Sequence, residues 1–337
     1  MNISSEKLLA EAQATGFRED VLEKAARLLG LLDALKSHPF LRGKLALKGG
    51  TALNLFIFDA PRLSVDIDLN FIGPQDREGM LAVRPKIEQA VQAVFAREGF
   101  SIRRIPEKHA GGKWLLRYQN VHGRSGNLEA DINFMFRVPL WPVANIRSHA
   151  VGSWQATGIP VLDVHELAAG KLAALLARRQ SRDLFDSYRI FRLNNLDPQS
   201  LRIGFVVYGA MNRKDWRTIS IDEIAFDSTE LATQLIPTLR VNNVDVQKEP
   251  AEYGKLLVEE CRKGFSTVFP LTDSELAFLN LLLDKGKIDP TILTTDPSLQ
   301  QRIKSQPLLQ WKALNVRHHK GLSRRDPHAS SPRNPFR

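Results

Sequence analysis

The sequence predicts an α/β (α+β) fold, in which helices flank a mixed, twisted sheet and a mostly helical domain follows toward the C-terminus. Apolar residues recur at helical spacing over residues 4–36, and they alternate with polar residues, as in a strand, over residues 63–72. Helical spacing returns at 251–263 and 273–284. A chain of 337 residues is long enough to bury such a core and to add a second domain.

Helices and strands are interleaved through the first part of the chain, which is typical of this fold class. The N-terminal segment predicts two helices broken near 16–20, and a short strand at 44–48 leads through a glycine turn into a helix. The remaining predicted elements are the strand at 63–72, a helix at 83–98, a hairpin of strands at 114–120 and 127–136, and helices at 163–178 and 182–193.

The turn-rich segment at 194–202 predicts a domain boundary. We expect N-terminal helices (1–40) that pack on a core (41–198), followed by a helical C-terminal domain (199–317). The last residues, 318–337, are rich in Arg, Pro and Ser and poor in apolar residues, so a disordered basic tail is expected there.

The net charge of +10 is unevenly distributed. The net charge, counted as Lys and Arg residues minus Asp and Glu residues, is +6 over residues 1–200, −2 over residues 201–311 and +6 over residues 312–337. Localised positive charge suits a polyanion such as nucleic acid or nucleotide phosphates. A basic surface that is simply solvated explains the same distribution.

Composition excludes several classes of protein. The single cysteine, Cys261, rules out an intramolecular disulfide and fits a reducing compartment. The chain begins without the basic and apolar pattern of a secretory leader. Its longest apolar run, near 276–283, is far shorter than the roughly 20 residues that a membrane span needs. We therefore expect a soluble, cytoplasmic protein with no membrane partner.

Gly49, Gly50 and Thr51 form a turn between a short apolar strand and a helix. Glycines let the backbone approach a ligand closely, and a helix N-terminus offers free N–H groups to phosphate. These residues are therefore candidates for binding nucleotide phosphates, with the Thr51 hydroxyl as a donor. A plain strand-to-helix turn capped by threonine is the alternative.

Asp66 and Asp68 lie two residues apart in a predicted strand, so they share one face with Ser64. Two like charges side by side are unfavourable unless a cation lies between them. Mg²⁺ prefers carboxylate, water and phosphate oxygens, so the pattern predicts a divalent metal site. Two solvated aspartates on an exposed strand face are the alternative.

A third carboxylate is predicted from the second hairpin strand, where Glu129, Asp131 and Asn133 share a face. Two-metal phosphoryl and nucleotidyl transfer places carboxylates around ions roughly 3.5–4 Å apart. We prefer Asp131 over Glu129 as the third metal ligand. A solvated hairpin face explains the same alternation.

Lys171 falls on the apolar stripe of a predicted helix, together with Leu172 and Leu175. A cation in that position needs an anion within reach, which a nucleotide triphosphate would supply. Otherwise the stem packs and the amine extends to water. At the start of this helix, Asp163 and Glu166 resemble a capping box, which gives Glu166 a structural explanation.

Asp183 and Asp186 lie three residues apart at the start of the next predicted helix, beside Arg182. They could orient Lys171 or a nucleotide sugar, or act as an acid or base, and Arg182 is a candidate for nucleotide binding. The alternative is first-turn acids stabilised by the helix dipole and by a salt bridge with Arg182.

In this order and spacing, the blocks resemble the AbiEii toxins, which are nucleotidyltransferase-like toxins of bacterial abortive-infection and type IV toxin–antitoxin systems. One departure is Gly170, where a bulkier helix former is expected. The blocks that carry the resemblance, within about residues 40–193, are 49–53, 64–68, 166–172 and 182–186.

The resemblance implies a nucleotidyltransferase fold and a metal-dependent transfer of NMP from an NTP to an acceptor. Mg²⁺ is the implied cofactor. The residues that it implies are, for catalysis, Asp66, Asp68, Lys171 and Asp183 or Asp186; for nucleotide binding, Gly49, Gly50, Thr51, Lys171 and Arg182; and for metal, Asp66, Asp68 and, from the wider nucleotidyltransferase fold, Asp131.

The implied partners are an acceptor, which for some members is the 3′ end of tRNA, and a cognate antitoxin protein. Modification of tRNA would stop translation. Two other functions stay open at this point: a nucleotidyltransferase that modifies a protein or a small molecule, and an inactive RNA-binding module with the same fold. The acidic and basic positions of all four blocks are present, which favours an active enzyme.

Overall fold

A seven-stranded mixed sheet forms the centre of the molecule. The computed structural model describes residues 3–105, 111–241 and 249–320. The strands are β1 (Leu45–Lys48), β2 (Asp66–Phe71), β3 (Ser101–Arg104), β4 (Gly111–Gln119), β5 (Ser125–Asn133), β6 (Ala144–Ile146) and β7 (Ile159–Val161). Their order across the sheet is β3-β4-β5-β2-β1-β7-β6.

The two central strands, β2 and β5, run parallel to each other. Each also has an antiparallel neighbour, β1 beside β2 and β4 beside β5. Beyond β1 the strand β7 is again parallel, and β6 closes that edge in antiparallel orientation. The predicted mixed sheet and the predicted hairpin, which is β4–β5, are both confirmed.

Helices surround the sheet and make up most of the C-terminal part. Asp76, Asp163 and Asp197 each cap a helix by accepting a hydrogen bond from a backbone N–H in its first turn. The helices are α1 (Ser5–Thr15), α2 (Glu19–Ser37), α3 (Gly49–Ala52), α4 (Arg77–Arg97), α5 (Val164–Arg178), α6 (Ser181–Ile190), α7 (Pro198–Ala210), α8 (Ser228–Glu230), α9 (Pro250–Gly264), α10 (Asp273–Lys285), α11 (Pro297–Lys304) and α12 (Pro307–His319).

One face of the sheet is apolar and covered. Ile67 of β2 and Trp114 of β4 are fully buried there, and α4 packs on this face with the Phe95 ring edge-on to Trp114 at 5.8 Å between ring centres. Strand alternation leaves Asp66 and Asp68 on the opposite face, as the sequence predicted. We call this opposite face, over β3, β4, β5 and β2, the open face.

The C-terminal helices pack on the two helices that carry Lys171 and Asp186. α7 packs against α5, α9 against α6, and α10 against both α7 and α12. α5 in turn contacts α3, which follows β1 directly. The helical character predicted for the C-terminal part is confirmed, and the domain boundaries at 41, 199 and 318 stay predictions.

Several predicted element bounds were wrong by a few residues. β2 begins at Asp66 rather than at residue 63, because the N–H of Leu63 bonds the carbonyl of Thr238 instead of a sheet neighbour. α4 begins six residues before the predicted position of 83. Residues 318 and 319 of the predicted tail belong to α12, and 321–337 lie outside the described residues. In the described ranges, each helix is too short or too polar to cross a bilayer.

Candidate active site

Four carboxylates meet on the open face of the sheet. In the register of β2 and β5, Asp66 lies opposite Glu129, and Asp68 lies opposite Asp131. Residues paired in this way on neighbouring strands point to the same side of the sheet. The structure therefore places the three carboxylates that the sequence predicted as metal ligands, Asp66, Asp68 and Asp131, on the same face of neighbouring strands.

Two of these acids have perturbed pKa values. Burial raises the pKa of Asp66; the Arg182 guanidinium, 3.5 Å away, opposes this rise, and the charge of Asp68 adds to it. Burial likewise raises the pKa of Asp131, against the opposing charge of Lys48. The chain therefore concentrates negative charge here without neutralising it fully, and a bound cation would relieve that repulsion.

The Gly49–Gly50 turn lies directly against this cluster. Gly49 has a φ of +73°, in the left-handed region that favours glycine, and a Cβ at this position would clash with Oδ2 of Asp68. A Cβ at Gly50 would lie 3.0 Å from both Nη2 of Arg62 and Oγ of Ser64. The two glycines thus allow the turn to approach the acids closely.

Thr51 is fully buried behind the turn. Its hydroxyl donates a hydrogen bond of 2.5 Å to the backbone carbonyl of Asp66, which uses the one proton that a hydroxyl can donate. Thr51 does not line the cleft that holds the acids. This placement favours the structural alternative, in which Thr51 ties α3 to β2, over direct phosphate binding.

Lys171 finds its anions within the chain. Its amine lies 2.7 Å from Oδ1 of Asp183 and 3.0 Å from Oδ2 of Asp186, both on α6. Although burial opposes it, the charge of these carboxylates raises the pKa of Lys171, so the amine is charged. Arg178 also binds Asp183, with nitrogen–oxygen distances of 2.6 and 3.0 Å. The pair of aspartates orients Lys171, which was one of the roles left open.

Asp186 is completely enclosed. It accepts two hydrogen bonds from Arg62, at 2.8 and 2.7 Å, and one from Asn54 at 2.9 Å. Burial opposes its ionisation, but the charges of Arg62 and Lys171 lower the pKa of Asp186. Asp183 lines the cleft, whereas Asp186 does not. The structure therefore separates the two acids into a cleft-wall group and a buried anchor.

These groups border one cleft of about 560 Å³ between the open face and α5. The acids of β2 and β5 form its floor, and Lys171, Arg178 and Arg182 stand on its wall. Another cavity, of about 610 Å³, lies between α2 and the β6–β7 edge, and the residues that line it include no carboxylate. The cleft beside α5 is therefore the candidate active site.

Some cleft residues were missed at the level of sequence. Arg62 was passed over because nothing local marks a cation whose partner, Asp186, is 124 residues away. Lys48 could have been found from the strand pairing, since it lies in register with Asp68 and lines the cleft. Other missed cleft residues include Lys113, Phe136, Arg178 and Tyr208.

The chemistry of the donor set fits a hard divalent cation. Asp66, Asp68 and Asp131 offer only carboxylate oxygens, which Mg²⁺ prefers. Within the described part of the chain, no three acidic, histidine or cysteine side chains stand close enough together to hold a metal ion. Because Mg²⁺ is commonly held by one or two carboxylates plus substrate phosphates, oxygens of a bound nucleotide would complete such a site.

Glu166 does not form the capping box that its spacing suggested. Asp163 caps α5 by accepting from the N–H of His165, but the Glu166 carboxylate points elsewhere. It accepts hydrogen bonds of 2.9 Å from the N–H of Leu140 and from the hydroxyl of Tyr208. Burial raises the pKa of Glu166 to about 7.

The pKa of Glu166 predicts a pH-dependent stability. Because its folded pKa is about 7 and its ordinary value is 4.5, the unfolded chain loses this proton first. The free energy of unfolding is therefore expected to fall as the pH rises from 4.5 to 7, and then to level off. Urea unfolding measures the free energy of unfolding at about pH 5 and pH 8. Between these two pH values, that free energy should fall more for wild type than for Glu166→Gln. Equal losses would contradict the assignment.

A profile of the family described as "Nucleotidyl transferase AbiEii toxin, Type IV TA system" matches residues 30–258, which is more than half of the chain. The chain belongs to the AbiEii family. It is therefore a nucleotidyltransferase toxin of a type IV toxin–antitoxin system, and the family implies an antitoxin partner. The matched range contains the acids of β2 and β5 and the charged residues of α5 and α6.

The fold of this AbiEii protein is also that of a solved structure. It is similar to MenT4, a nucleotidyltransferase toxin from Mycobacterium tuberculosis H37Rv, with a TM-score of 0.58 and 16% sequence identity. The similarity covers 92% of this chain and 99% of MenT4. At this identity the likeness shows the fold alone, and it confirms the predicted nucleotidyltransferase fold. Among curated proteins, none matches the sequence.

Proposed function

We propose that this AbiEii protein transfers NMP from an NTP to RNA, with the 3′ end of tRNA as the acceptor. The observation that carries the proposal is the cleft in which the carboxylates of β2 and β5 lie opposite Lys171, Arg178 and Arg182. Nucleotidyl transfer uses carboxylates to position metal and cations to stabilise the charge that develops on phosphate. Such substrates place the proposed activity in the cytoplasm.

The cations of the cleft wall divide into two kinds. Lys171 is buried and held by Asp183 and Asp186, so it presents a fixed positive charge. Arg178 and Arg182 keep side chains that are 55% and 33% exposed, so their guanidinium groups can reach a bound triphosphate. Arginine binds phosphate through paired N–H donors, which suits Arg182. Arg178 already uses Nε and Nη2 on Asp183, so it would bind phosphate through its remaining N–H groups.

Asp66, Asp68 and Asp131 would hold Mg²⁺ in this proposal. When bound, the metal neutralises phosphate charge and lowers the pKa of the attacking hydroxyl. The chain contributes the fixed geometry, because Asp66 and Asp68 are carried on a central strand whose backbone is bonded to Thr51. Gly49 and Gly50 line the cleft beside these acids and carry no side chain that would occupy it.

The open face continues beyond the acids as a basic surface. Lys113 and Arg117 of β4 are exposed and point to this face, because they lie in register with Asp131 and Asn127 of β5. Arg104 of β3, also exposed, pairs with no carboxylate among the described residues. Phosphate neutralisation dominates RNA binding, so this surface supports a polyanionic acceptor over a small molecule.

Removing charge from this surface is expected to weaken binding of the acceptor. Arg104→Gln and Arg117→Gln should each raise the KM for tRNA about fivefold and reduce the slope of log affinity against log salt by about 1, as lost phosphate contacts do. The KM for NTP should stay unchanged, because neither arginine lines the cleft. Steady-state kinetics at three salt concentrations measures both effects.

The matched control is Arg147→Gln. Arg147 is also exposed, but it follows β6 at the opposite edge of the sheet from β3. If Arg147→Gln weakens tRNA binding as much as Arg104→Gln does, the effect comes from net charge and the open face is not the acceptor surface.

The acceptor is tested by incubating the protein with NTP labelled at the α-phosphate, together with total tRNA or total protein. Label on tRNA supports the proposal. Label that appears on protein alone overturns it in favour of a protein-modifying nucleotidyltransferase. Tight tRNA binding without transfer of label would indicate the inactive binding module.

A further inference from the structure

The end of the cleft far from Arg178 has an aromatic wall. Phe136, which follows β5, and Tyr208 of α7 lie with their ring planes 11° apart and their centres 5.6 Å apart. Both side chains are half-buried and line the cleft, with Met211 and Leu308 beside them. We call Phe136 and Tyr208 the aromatic platform. The roles assigned above to metal, phosphate and acceptor leave the platform unused.

Gly170 makes room for the platform. It lies in the middle of α5, where glycine costs roughly 1 kcal/mol of helix propensity relative to alanine. A Cβ at this position would lie 3.2 Å from Cε1 and 3.4 Å from Cδ1 of Tyr208, so the ring would have to move by a few tenths of an ångström. The departure of Gly170 from the family pattern is therefore explained by the ring that packs against it.

The Tyr208 ring is also fixed at its far end, where its hydroxyl donates a hydrogen bond of 2.9 Å to Glu166. On the side of the acids, the amine of Lys48 lies 5.4 Å from the centre of the Phe136 ring. The Tyr208 ring is thus held by Glu166 and by Gly170, and the Lys48 charge that lies near Phe136 also opposes the rise in the pKa of Asp131.

The cleft is chemically polarised along α5. The Tyr208 ring of the platform packs against Gly170 in the middle of this helix, and Arg178 is the last residue of the helix. Eight residues at a rise of 1.5 Å place these two positions about 12 Å apart along the helix. Arg178 and Arg182 therefore lie toward one end, carboxylates line the floor, and flat apolar rings, with the Lys48 amine beside them, lie toward the other end. A nucleoside triphosphate has the same order of groups.

We propose that Phe136 and Tyr208 form the nucleobase site of the donor NTP, whose triphosphate lies toward Arg178 and Arg182. This inference rests on the proposed nucleotidyl transfer and adds the orientation of the nucleotide. Stacking of a base on an aromatic side chain tolerates any base, because every base has a π-face. Alanine substitution at such stacks reduces affinity by about tenfold or more.

Calorimetric titration of the full chain with a non-hydrolysable NTP analogue and with inorganic tripolyphosphate tests the proposal. Phe136→Leu keeps the apolar volume but removes the π-face, so it should weaken binding of the analogue about tenfold and leave binding of tripolyphosphate unchanged. Phe136→Trp should retain affinity for the analogue. Gly170→Ala should keep or raise the Tm, because alanine favours the helix. It should nevertheless weaken binding of the analogue several-fold, because the added methyl group displaces Tyr208.

The matched control is Phe40→Leu, since Phe40 is also half-buried with a lysine amine 4.6 Å from its ring centre but lies outside the cleft. The proposal is overturned if Phe136→Leu leaves the affinity for the analogue unchanged, or if it weakens binding of the analogue and binding of tripolyphosphate equally. A raised KM for tRNA alone would assign the platform to the acceptor instead. If wild type binds neither probe, the proposed function itself fails, and the nucleobase site fails with it.

Discussion

Replacing Asp66 and Asp68 together by asparagine is expected to reduce nucleotidyl transfer by about a thousandfold or more and to leave the fold intact. Metal held by these carboxylates contributes several kcal/mol to stabilising the transition state, and each 1.4 kcal/mol is about a factor of ten in rate. Single-turnover transfer from labelled NTP at saturating Mg²⁺ measures the loss.

The fold should survive this substitution because the Asp66 charge is not stabilising in the free protein. Burial raises the pKa of Asp66, and the neighbouring charge of Asp68 raises it further, which means that the folded state disfavours the ionised form. The double variant should therefore unfold at the same urea concentration as wild type, or at a higher one. A large drop in stability would show that these aspartates are structural.

Glu129→Gln is the matched control on the same face. Glu129 lies opposite Asp66 in the register, but its carboxylate is bound to Lys113 at 2.6 Å. We expect a change in rate of less than about threefold for Glu129→Gln, and a loss comparable to that of Asp66→Asn for Asp131→Asn, in keeping with the size of metal contributions. The reverse result would make Glu129 the third metal ligand.

Asp186→Asn is expected to destabilise the protein by about 3–5 kcal/mol, which is the usual cost of breaking a buried ion pair by removing one partner. Asparagine would keep the volume but leave Arg62 without its counter-ion, in a place where the Arg62 side chain is only 2% exposed. It would also turn an amide N–H toward Arg62 or Lys171, which are themselves donors. Equilibrium unfolding in urea measures the change.

Asp183→Asn should cost less, because the Arg178 side chain that it releases is 55% exposed and can be rehydrated, and Lys171 keeps Asp186. As a surface control, Glu260→Gln removes only exposed pairs with Arg192 and Lys263 and should leave stability nearly unchanged. If Asp186→Asn is as mild as Glu260→Gln, the buried network does not anchor α6 to the rest of the core.

Local patterns predicted those parts of the site that depend on neighbours in the sequence. Strand alternation placed Asp66 and Asp68 on one face, and the same rule applied to β5 placed Asp131 beside them. Spacing on α5 placed Lys171 on the buried stripe, and its burial is confirmed. The shared faces follow from backbone geometry, whereas the pairing of β2 with β5 comes from the fold.

Features that depend on distant contacts were beyond such patterns. A bound nucleotide and the aspartates of α6 were both open as anions for Lys171, and the packing of α6 beside α5 decides for the aspartates. The burial of Thr51 depends on how α3 docks on β2, which no local spacing encodes. Gly170 looked like a departure from the family because its reason, the Tyr208 ring, lies on another helix. In each case tertiary packing between elements that are distant in the sequence decided the role.

The most direct test of nucleotidyl transfer is the fate of the two labelled phosphates of one NTP. With tRNA present and Mg²⁺ supplied, label from the α-phosphate should appear on the RNA, label from the γ-phosphate should leave as pyrophosphate, and Asp66→Asn with Asp68→Asn should abolish both. Transfer of the γ-label to the acceptor would make the protein a phosphotransferase. Label from the α-phosphate that still reaches RNA in the double variant would contradict the assignment of this cleft as the active site.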